Sequence, residues 1–174
     1  MWTTMESPVG PLRVVAGPSA ITAIEFATSV PDGASPRSSM ARAVAVSAGR
    51  PAGERDDANP LLLEAVRQLT AYFAGELKEF DLPLDPQGSE FQRKVWGQLQ
   101  QIGYGETATY GDVARRLGMS AAASRAVGLA NGRNPIPIVI PCHRVVGANG
   151  TLTGYAGGVE RKQQLLDLEQ GALF

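Results

Sequence analysis

Cysteine and histidine are almost absent from this chain, which has one of each among 174 residues. A single cysteine excludes an intramolecular disulfide, and one cysteine with one histidine is too few for a structural zinc site of the usual composition. Long apolar runs are also missing, and the first ten residues lack the basic and apolar regions of a signal peptide. We therefore expect a cytoplasmic protein that has no structural zinc site of the usual composition and does not span a membrane.

Net charge is also small, at -1, but the charge is unevenly distributed. Residues 1–86 carry seven Lys or Arg and eleven Asp or Glu, whereas residues 87–174 carry nine and six. Five arginines and one aspartate lie between Tyr110 and Arg144. A polyanionic partner and a solvated basic face are equally compatible with this charge pattern.

The prolines near residue 86 indicate a boundary between an N-terminal α/β domain, residues 1–86, and a second domain, residues 87–174. Alternation in residues 2–26 predicts two or three antiparallel strands. Residues 30–59 have almost no large apolar side chains, which predicts a loop or partly disordered insert. The stretch "NPLLLEAVRQLTAYFAGE" then predicts an amphipathic helix. Its apolar stripe comprises Leu62, Val66, Leu69, Tyr72 and Phe73.

The second half is predicted to be mostly helical. Ser89 is a candidate cap for a helix over "EFQRKVWGQLQQI". The segments "TYGDVARRLG" and "SAAASRAVGLANG" predict two short helices separated at Gly118 and capped at Ser120, in the outline of a helix-turn-helix. The stretch "GVERKQQLLDLEQG" predicts a closing helix whose leucines point inward: Leu165, Leu166 and Leu168.

The second helix of that pair has few long side chains. Its predicted outer stripe comprises Ala121, Ser124, Arg125 and Gly128, and its core positions are Ala123, Val127 and Ala130. A helix this thin could enter a narrow groove such as the minor groove of DNA. Small residues equally allow tight packing against a neighbouring helix, and the residues alone favour that second interpretation.

The cysteine and the histidine, Cys142 and His143, are neighbours within "PIPIVIPCHRVVG". A free cysteine after an apolar run is often a buried core residue. Pro141 before the thiol and the cations His143 and Arg144 after it instead favour a reactive thiolate. Consecutive side chains of an extended segment point to opposite faces, so a Cys–His hydrolase with direct contact is disfavoured. A nucleophile that His143 reaches through a bridging water remains open.

These residues also carry a family resemblance. "PCHRVVG", with "SRAVGLANGRNPIPIVI", "TGYAGG" and "FQRKVWGQLQQIGYGETATYGDVA", closely resembles the methylated-DNA-protein-cysteine methyltransferases, or O6-alkylguanine-DNA alkyltransferases, over residues 89–170. Residues 1–86 match more weakly. The resemblance implies a ribonuclease-H-like sheet-plus-helix domain followed by a helical domain with a helix-turn-helix. It also implies irreversible, single-turnover transfer of an alkyl group from O6-alkylguanine, or O4-alkylthymine, in DNA to the protein's own cysteine.

The resemblance assigns roles to particular residues. It implies that His143 deprotonates Cys142 through a water and that Glu169 orients the imidazole. It implies that Tyr110 donates to N3 of the base and that Asn134 ties the recognition helix to the loop of the cysteine. Substrate contacts are implied for Tyr110, Pro137, Val145, Tyr155 and Ala156. Contacts to DNA are implied for Ala123, Ser124, Arg125, Ala126 and Gly128.

The same resemblance implies double-stranded DNA containing O6-alkylguanine as the partner, a monomeric protein, and no cofactor or metal. The damaged base is expected to be flipped out from the minor-groove side. Two alternatives stay open. The protein could be a non-catalytic binder or regulator of alkylated DNA on the same fold, and Glu169, judged by its position alone, is a solvated residue near the end of the closing helix.

Overall fold

The computed structural model of the protein describes residues 1–26, 53–152, 155 and 157–171. Most of the predicted insert, residues 30–59, lies outside the described residues. Its last part is described, and it runs beside the first strand, where Trp2 forms a parallel bridge with Arg55.

The N-terminal half is built on a three-stranded antiparallel sheet. Its strands are β1 (Trp2–Met5), β2 (Leu12–Ala16) and β3 (Ile21–Phe26), in the order β1-β2-β3. In β2, Leu12, Val14 and Ala16 are buried and alternate with half-buried residues, as the period of a strand requires. The predicted antiparallel strands are confirmed.

One helix, α1 (Pro60–Phe73), packs on this sheet, chiefly against β2. The side chain of Asn59 caps it by accepting from the amides of Leu61 and Leu62, and Pro60 occupies the first turn. The helix is confirmed, although Val66 from the predicted stripe is only half-buried. The buried set is Leu62, Ala65, Gln68, Leu69, Tyr72 and Phe73.

An extended segment, residues 76–88, leads to the C-terminal half and touches the sheet where Leu84 bridges Ile21. Helix α2 (Glu90–Leu99) follows. Ser89 caps it as predicted, and Gln92 completes a capping box by accepting from the Ser89 amide.

Two short helices come next, α3 (Tyr110–Arg116) and α4 (Ser124–Gly132), and they pack against each other. Between them lie Gly118, in the left-handed region at φ 74°, and a 3-10 turn, Ala121–Ala123. Ser120 precedes that turn, but its side chain makes no capping hydrogen bond. The predicted break at Gly118 is therefore confirmed, and the predicted cap at Ser120 is not observed.

Two further elements complete the described chain. The strands β4 (Ala108–Thr109) and β5 (Val145–Val146) pair in parallel. The closing helix α5 (Val159–Glu169) buries the predicted leucines, Leu165, Leu166 and Leu168. None of the helices described is long and apolar enough for a membrane span. The predicted class, a sheet-plus-helix half followed by a mostly helical half, is confirmed.

The two halves share a continuous core and touch at several points. The amide of Ile24 in β3 donates to the carbonyl of Pro135, 2.9 Å away. The guanidinium of Arg161 in α5 donates to the carbonyl of Val9 at 2.8 Å. The N-terminal half therefore contacts the segments on both sides of Cys142.

Candidate active site

Cys142 lies in a buried segment that we call the reactive loop, residues 134–146. Asn134 organises its beginning, because its Oδ1 accepts from the Ile136 amide and its Nδ2 donates to the Ile140 carbonyl at 2.7 Å. The loop then enters a 3-10 turn, Cys142–Arg144. The position of Asn134 is therefore compatible with the tying role that the resemblance implies for it.

Ile138 in this loop has a backbone conformation that the sequence did not reveal. Its φ is 73°, in the left-handed region, where a β-branched residue is a rare outlier. Hydrogen bonds from the Val139 amide to the Pro137 carbonyl and from the Ile140 amide to the Ile136 carbonyl hold it there. Glycine is the residue that usually occupies this conformation, so the glycine-free pattern "PIPIVIP" did not predict a left-handed residue here.

The thiol of Cys142 is buried, with 3% of the residue exposed. Burial raises its pKa to about 11, although a hydrogen bond from Asn134 and the charge of Lys162 oppose the rise. The thiol is therefore protonated at neutral pH in the resting protein. The sequence-based expectation that His143 and Arg144 favour the thiolate is wrong for this state, because both side chains bind Glu169.

His143 is fully buried and bonds to the last turn of α5. Its Nε2 lies 2.6 Å from Oε2 of Glu169, while its Nδ1 is buried without a hydrogen-bond partner among the described residues. Because a carboxylate can only accept, Nε2 carries the proton and Nδ1 is the basic nitrogen. Burial lowers the pKa of His143, so the imidazole is neutral and able to accept a proton.

Glu169 is a buried hub, with 1% of its side chain exposed. Arg144 donates to both of its oxygens, Nε to Oε1 at 2.7 Å and Nη2 to Oε2 at 3.1 Å. Burial raises the pKa of this carboxyl, but the hydrogen bonds from His143 and Arg144, together with the charge of Arg144, outweigh burial and lower the pKa to about 2. The interpretation of Glu169 as a solvated helix-end residue is wrong.

Tyr110 is brought to the reactive loop by the small parallel sheet. Ala108 pairs with Val145 and Thr109 with Val146, so the first residue of α3 follows directly at the edge of the loop. The Val145 carbonyl accepts from Nζ of Lys162 at 2.6 Å. Of the proposed substrate-contact residues, Val145 therefore belongs to the reactive loop and Tyr110 follows the strand that pairs with it.

The remaining predicted substrate residues lie close by in the chain. Pro137 is buried in the reactive loop, and Ala156 lies outside the described residues. Tyr155 is buried, packs edge-to-face on Phe26 of β3 at 5.9 Å, and its hydroxyl has no hydrogen-bond partner within the described ranges. A buried hydroxyl without a partner is available to a ligand.

The outer face of α4 agrees in part with the predicted stripe, of which Ala121 and Arg125 are exposed. Ala126 and Leu129 are also exposed, whereas Ser124 and Gly128, which the stripe placed outside, are half-buried. Ala123, predicted as a core position, is half-buried as well. A Cβ on Gly128 would lie 3.7 Å from the Tyr110 ring, so this residue faces α3. The predicted core positions Val127 and Ala130 are buried.

Two polar residues of the site, Asn131 and Lys162, were not predicted from the sequence, and neither was the burial of Arg144. Asn131 donates to the Cys142 carbonyl at 3.4 Å, Lys162 is fully buried, and Arg144 also donates to the Ile102 carbonyl. Charged residues in an amphipathic helix or after an apolar run are usually exposed, so sequence alone predicted no burial. No group of three potential metal-ligating side chains occurs within the described ranges.

The burial of the thiol predicts an unusual pH dependence of labelling. We expect the rate of iodoacetamide reaction at Cys142 of the native protein to keep rising up to about pH 11, because only the thiolate reacts and burial disfavours it. The urea-unfolded chain is the control, with a midpoint near the ordinary value of 9.0. A native midpoint at or below that of the unfolded chain would contradict the description of a protonated resting thiol.

Comparison with known proteins identifies similar chains over almost the whole length. A family model described as "6-O-methylguanine DNA methyltransferase, ribonuclease-like domain" matches residues 1–86, and one described as "6-O-methylguanine DNA methyltransferase, DNA binding domain" matches residues 90–171. The methylated-DNA–protein-cysteine methyltransferase of Mycolicibacterium paratuberculosis is 67% identical over 106 residues, which is 61% of this chain and 64% of that protein. The aligned part of the chain thus spans less than two thirds of that relative.

Solved structures match over a longer range. The crystal structure of Mycobacterium tuberculosis O6-methylguanine methyltransferase is 44% identical with a TM-score of 0.78, covering 99% of this chain and 94% of that one. The structure of Mycobacterium tuberculosis OGT in complex with DNA is 43% identical with a TM-score of 0.80, covering 98% and 93%. The similarity therefore includes both halves of the fold.

Proposed function

The chain belongs to the O6-methylguanine DNA methyltransferase family, and from this membership we propose that it repairs DNA by moving the alkyl group of O6-alkylguanine to Sγ of Cys142. The observation that carries the proposal is a buried hydrogen bond between Glu169 and His143, the residue that follows Cys142 in the chain. It leaves Nδ1 of His143 as a base without a protein partner in the described part of the chain. O4-alkylthymine is a second substrate that the same chemistry would accept.

The reaction is a displacement at a saturated carbon. Sγ of Cys142 forms a bond to the alkyl carbon while the bond from that carbon to O6 breaks, and its electron pair stays on the guanine. The thiol proton passes through a water to Nδ1 of His143, and Tyr110 gives its hydroxyl proton to N3 of the departing base. The proton on His143 then returns through solvent to the Tyr110 phenolate, so the products are neutral guanine and a thioether. Water cannot hydrolyse the thioether, so each molecule reacts once.

Glu169 and Arg144 support the base in this scheme. The carboxylate stabilises the imidazolium that forms on His143, and Arg144 keeps the carboxylate ionised inside the protein. The step needs no metal or cofactor, because a thiolate is itself a strong nucleophile at saturated carbon. A thiol that is protonated until substrate binds is also protected from other electrophiles before its single use.

Access to the base requires base flipping, which we assign to α3 and α4 as a helix-turn-helix pair. The exposed face of α4 is thin except for Arg125 and Leu129, which suits entry into the minor groove, with Arg125 filling the place of the flipped base. The proposed DNA contacts are Ala123, Ser124, Arg125, Ala126 and Gly128. The positive balance of residues 87–174 supports binding to a polyanion.

We further propose that the protein acts as a monomer of two domains, divided near residue 86, and works in the cytoplasm. Because the acceptor must stay a free thiol until it reacts, a reducing compartment suits it. The substrate contacts are assigned to Tyr110, Pro137, Val145, Tyr155 and Ala156.

A second candidate function is non-catalytic binding of alkylated DNA. The observation that favours it is the thiol itself, since burial raises its pKa to about 11 and leaves little thiolate at neutral pH. The two candidates differ in one product: a transferase gains one alkyl group on Cys142, and a lesion binder gains none.

Mass spectrometry of the protein after incubation with an O6-methylguanine duplex, and separately with free O6-benzylguanine, tests the proposal. We expect one alkyl group per chain in both. In Arg125→Ala, transfer from the duplex should slow about tenfold or more, because flipping costs a few kcal/mol and each 1.4 kcal/mol is tenfold in rate. Transfer from the free base, which needs no flipping, should change by less than about twofold.

Arg93→Ala is the matched control, because Arg93 is an exposed arginine on α2 of the same half. It should leave both rates near the wild-type values. Wild-type protein that gains no alkyl group would establish the lesion-binding alternative, and equal losses on both substrates in Arg125→Ala would remove this arginine from base flipping.

A further inference from the structure

Tyr72 connects the N-terminal half to the proposed proton relay. It lies in the last turn of α1 and is fully buried. Its hydroxyl donates to Oε2 of Glu169 at 2.7 Å, across 97 positions of sequence. Neither the motifs around Cys142 nor the helical stripe that contains Tyr72 assigns this residue a role in chemistry.

The oxygen that Tyr72 contacts is the one that faces the imidazole. Oε2 of Glu169 accepts from Nε2 of His143 at 2.6 Å and from Nη2 of Arg144 at 3.1 Å, besides the Tyr72 hydroxyl. The other oxygen, Oε1, accepts from Nε of Arg144 and from the Gly105 amide. Tyr72 is the donor to this carboxylate that comes from residues 1–86.

The hydroxyl is held in place by the packing of its ring. Phe73, Phe80 and Tyr104 surround the Tyr72 ring with centroid distances of 5.3, 5.4 and 6.2 Å. Two of these contacts are edge-to-face, at 74° and 81°. A ring packed in this way does not rotate freely, so the hydroxyl that donates to the Glu169 carboxylate is held in one position.

The protonation states fix the direction of this hydrogen bond, in which Tyr72 donates and Glu169 accepts. Burial and the neighbouring Glu169 charge hold the pKa of Tyr72 far above its ordinary value, so the phenol remains a donor. Arg144 and His143 keep Glu169 ionised, so the carboxylate remains an acceptor. The bond therefore persists over the pH range in which the thiol reacts.

We propose that Tyr72 is a positioning residue for alkyl transfer, which fixes Oε2 of Glu169 and thereby the orientation of the His143 imidazole. The inference rests on the proposed function. It gives the N-terminal half a part in the chemistry. The Tyr72 hydroxyl comes from α1, whereas the other donors to the Glu169 carboxylate lie in the C-terminal half. Tyr72 does not touch the substrate, and it acts through Glu169 and His143.

Tyr72→Phe removes the hydroxyl and keeps the ring. We expect the first-order transfer rate constant at saturating O6-benzylguanine to fall about tenfold, which is a part of the roughly 10²–10⁴-fold that a well-placed general base contributes. The half-saturating concentration should stay within about twofold, because no substrate contact is lost. Tyr104→Phe is the matched control, since its hydroxyl belongs to the same aromatic cluster but has no hydrogen-bond partner among the described residues. It should retain the wild-type rate.

An NMR measurement gives a readout that does not depend on transfer. The chain has one histidine, so ¹⁵N-histidine labelling of tag-free protein yields the imidazole signals of His143 alone. The ¹⁵Nε2 and Nε2–H resonances should move or broaden in Tyr72→Phe and stay unchanged in Tyr104→Phe. Unchanged His143 signals and an unchanged rate constant in Tyr72→Phe would overturn the inference while leaving the proposed function intact.

A second variant separates positioning from a loss of folding. 4-Aminophenylalanine introduced at position 72 keeps a donor of the same reach, and it should restore most of the rate that phenylalanine loses and return the His143 signals towards those of the wild type. A slow 4-aminophenylalanine variant with wild-type His143 signals would refute positioning. Wild-type protein that transfers nothing but shows His143 signals sensitive to Tyr72→Phe would refute the proposed function and keep the structural coupling.

Discussion

The Cys142→Ser variant should accept no alkyl group from O6-methylguanine DNA, at any incubation time, while its affinity for the same duplex stays within about twofold of the wild type. Affinity for DNA comes mainly from phosphate contacts, which the substitution does not touch. A serine hydroxyl is weakly nucleophilic at its ordinary pKa, and the site supplies a single imidazole to activate it.

The measurement is unambiguous because the chain has one cysteine. Intact mass gives the number of alkyl groups, and electrophoretic mobility shift at one fixed salt concentration gives the affinity. Wild-type protein alkylated in advance at Cys142 is the control for a blocked acceptor. A methyl group found on Cys142→Ser would show that another side chain is the acceptor, and the assignment of Cys142 would be lost.

Among the variants proposed for this protein, Glu169→Gln should show the largest loss of unfolding free energy. It leaves Arg144 buried without its counter-charge, and breaking a buried ion pair from one side costs about 3–5 kcal/mol of unfolding free energy. It also removes the charge that stabilises imidazolium on His143, so transfer should slow even in the folded fraction.

The pH dependence of the unfolding free energy also tests whether the ionised Glu169 stabilises the fold. The pKa of Glu169 is lowered on folding from 4.5 to about 2, so its contribution is fully present above pH 4.5 and is lost as pH falls towards 2. Urea unfolding of the wild type between these pH values should show this loss, and Glu169→Gln should lack it. Glu160→Gln, an exposed glutamate in the first turn of the same helix, is the control and should cost less than about 1 kcal/mol. Equal effects of the two substitutions would contradict a buried hub at Glu169.

Local sequence signals predicted most of the fold. The period of two in β2, Pro60 at the start of α1 and the capping box at Ser89 each act within a few residues, so a pattern can reveal them. The faces of α4 were predicted in part, because Arg125 is exposed and Val127 and Ala130 are buried as expected, whereas Ser124 and Gly128 are half-buried where the stripe predicted exposure.

The site was predictable only in part, for a physical reason. The motif around Cys142 and His143 marked the buried segment that carries the thiol, and the resemblance linked Glu169 to His143, with which it forms a hydrogen bond. The sequence did not show that burial would raise the pKa of the thiol, since the cations next to it in the chain bind elsewhere. It also gave no sign that Tyr72 reaches Glu169, because that contact depends on how the two halves dock.

The bond between Tyr72 and Glu169 also has a consequence for biogenesis. Contacts between residues 97 positions apart form late, because the entropy of closing such a long loop must be overcome first. A chain still on the ribosome can fold the sheet and α1, yet it cannot assemble the relay until synthesis has passed Glu169 and α5 has docked. Cys142 of the nascent protein therefore lacks the hydrogen-bonded histidine at first, and the proposed acceptor gains this base only when both halves have been made.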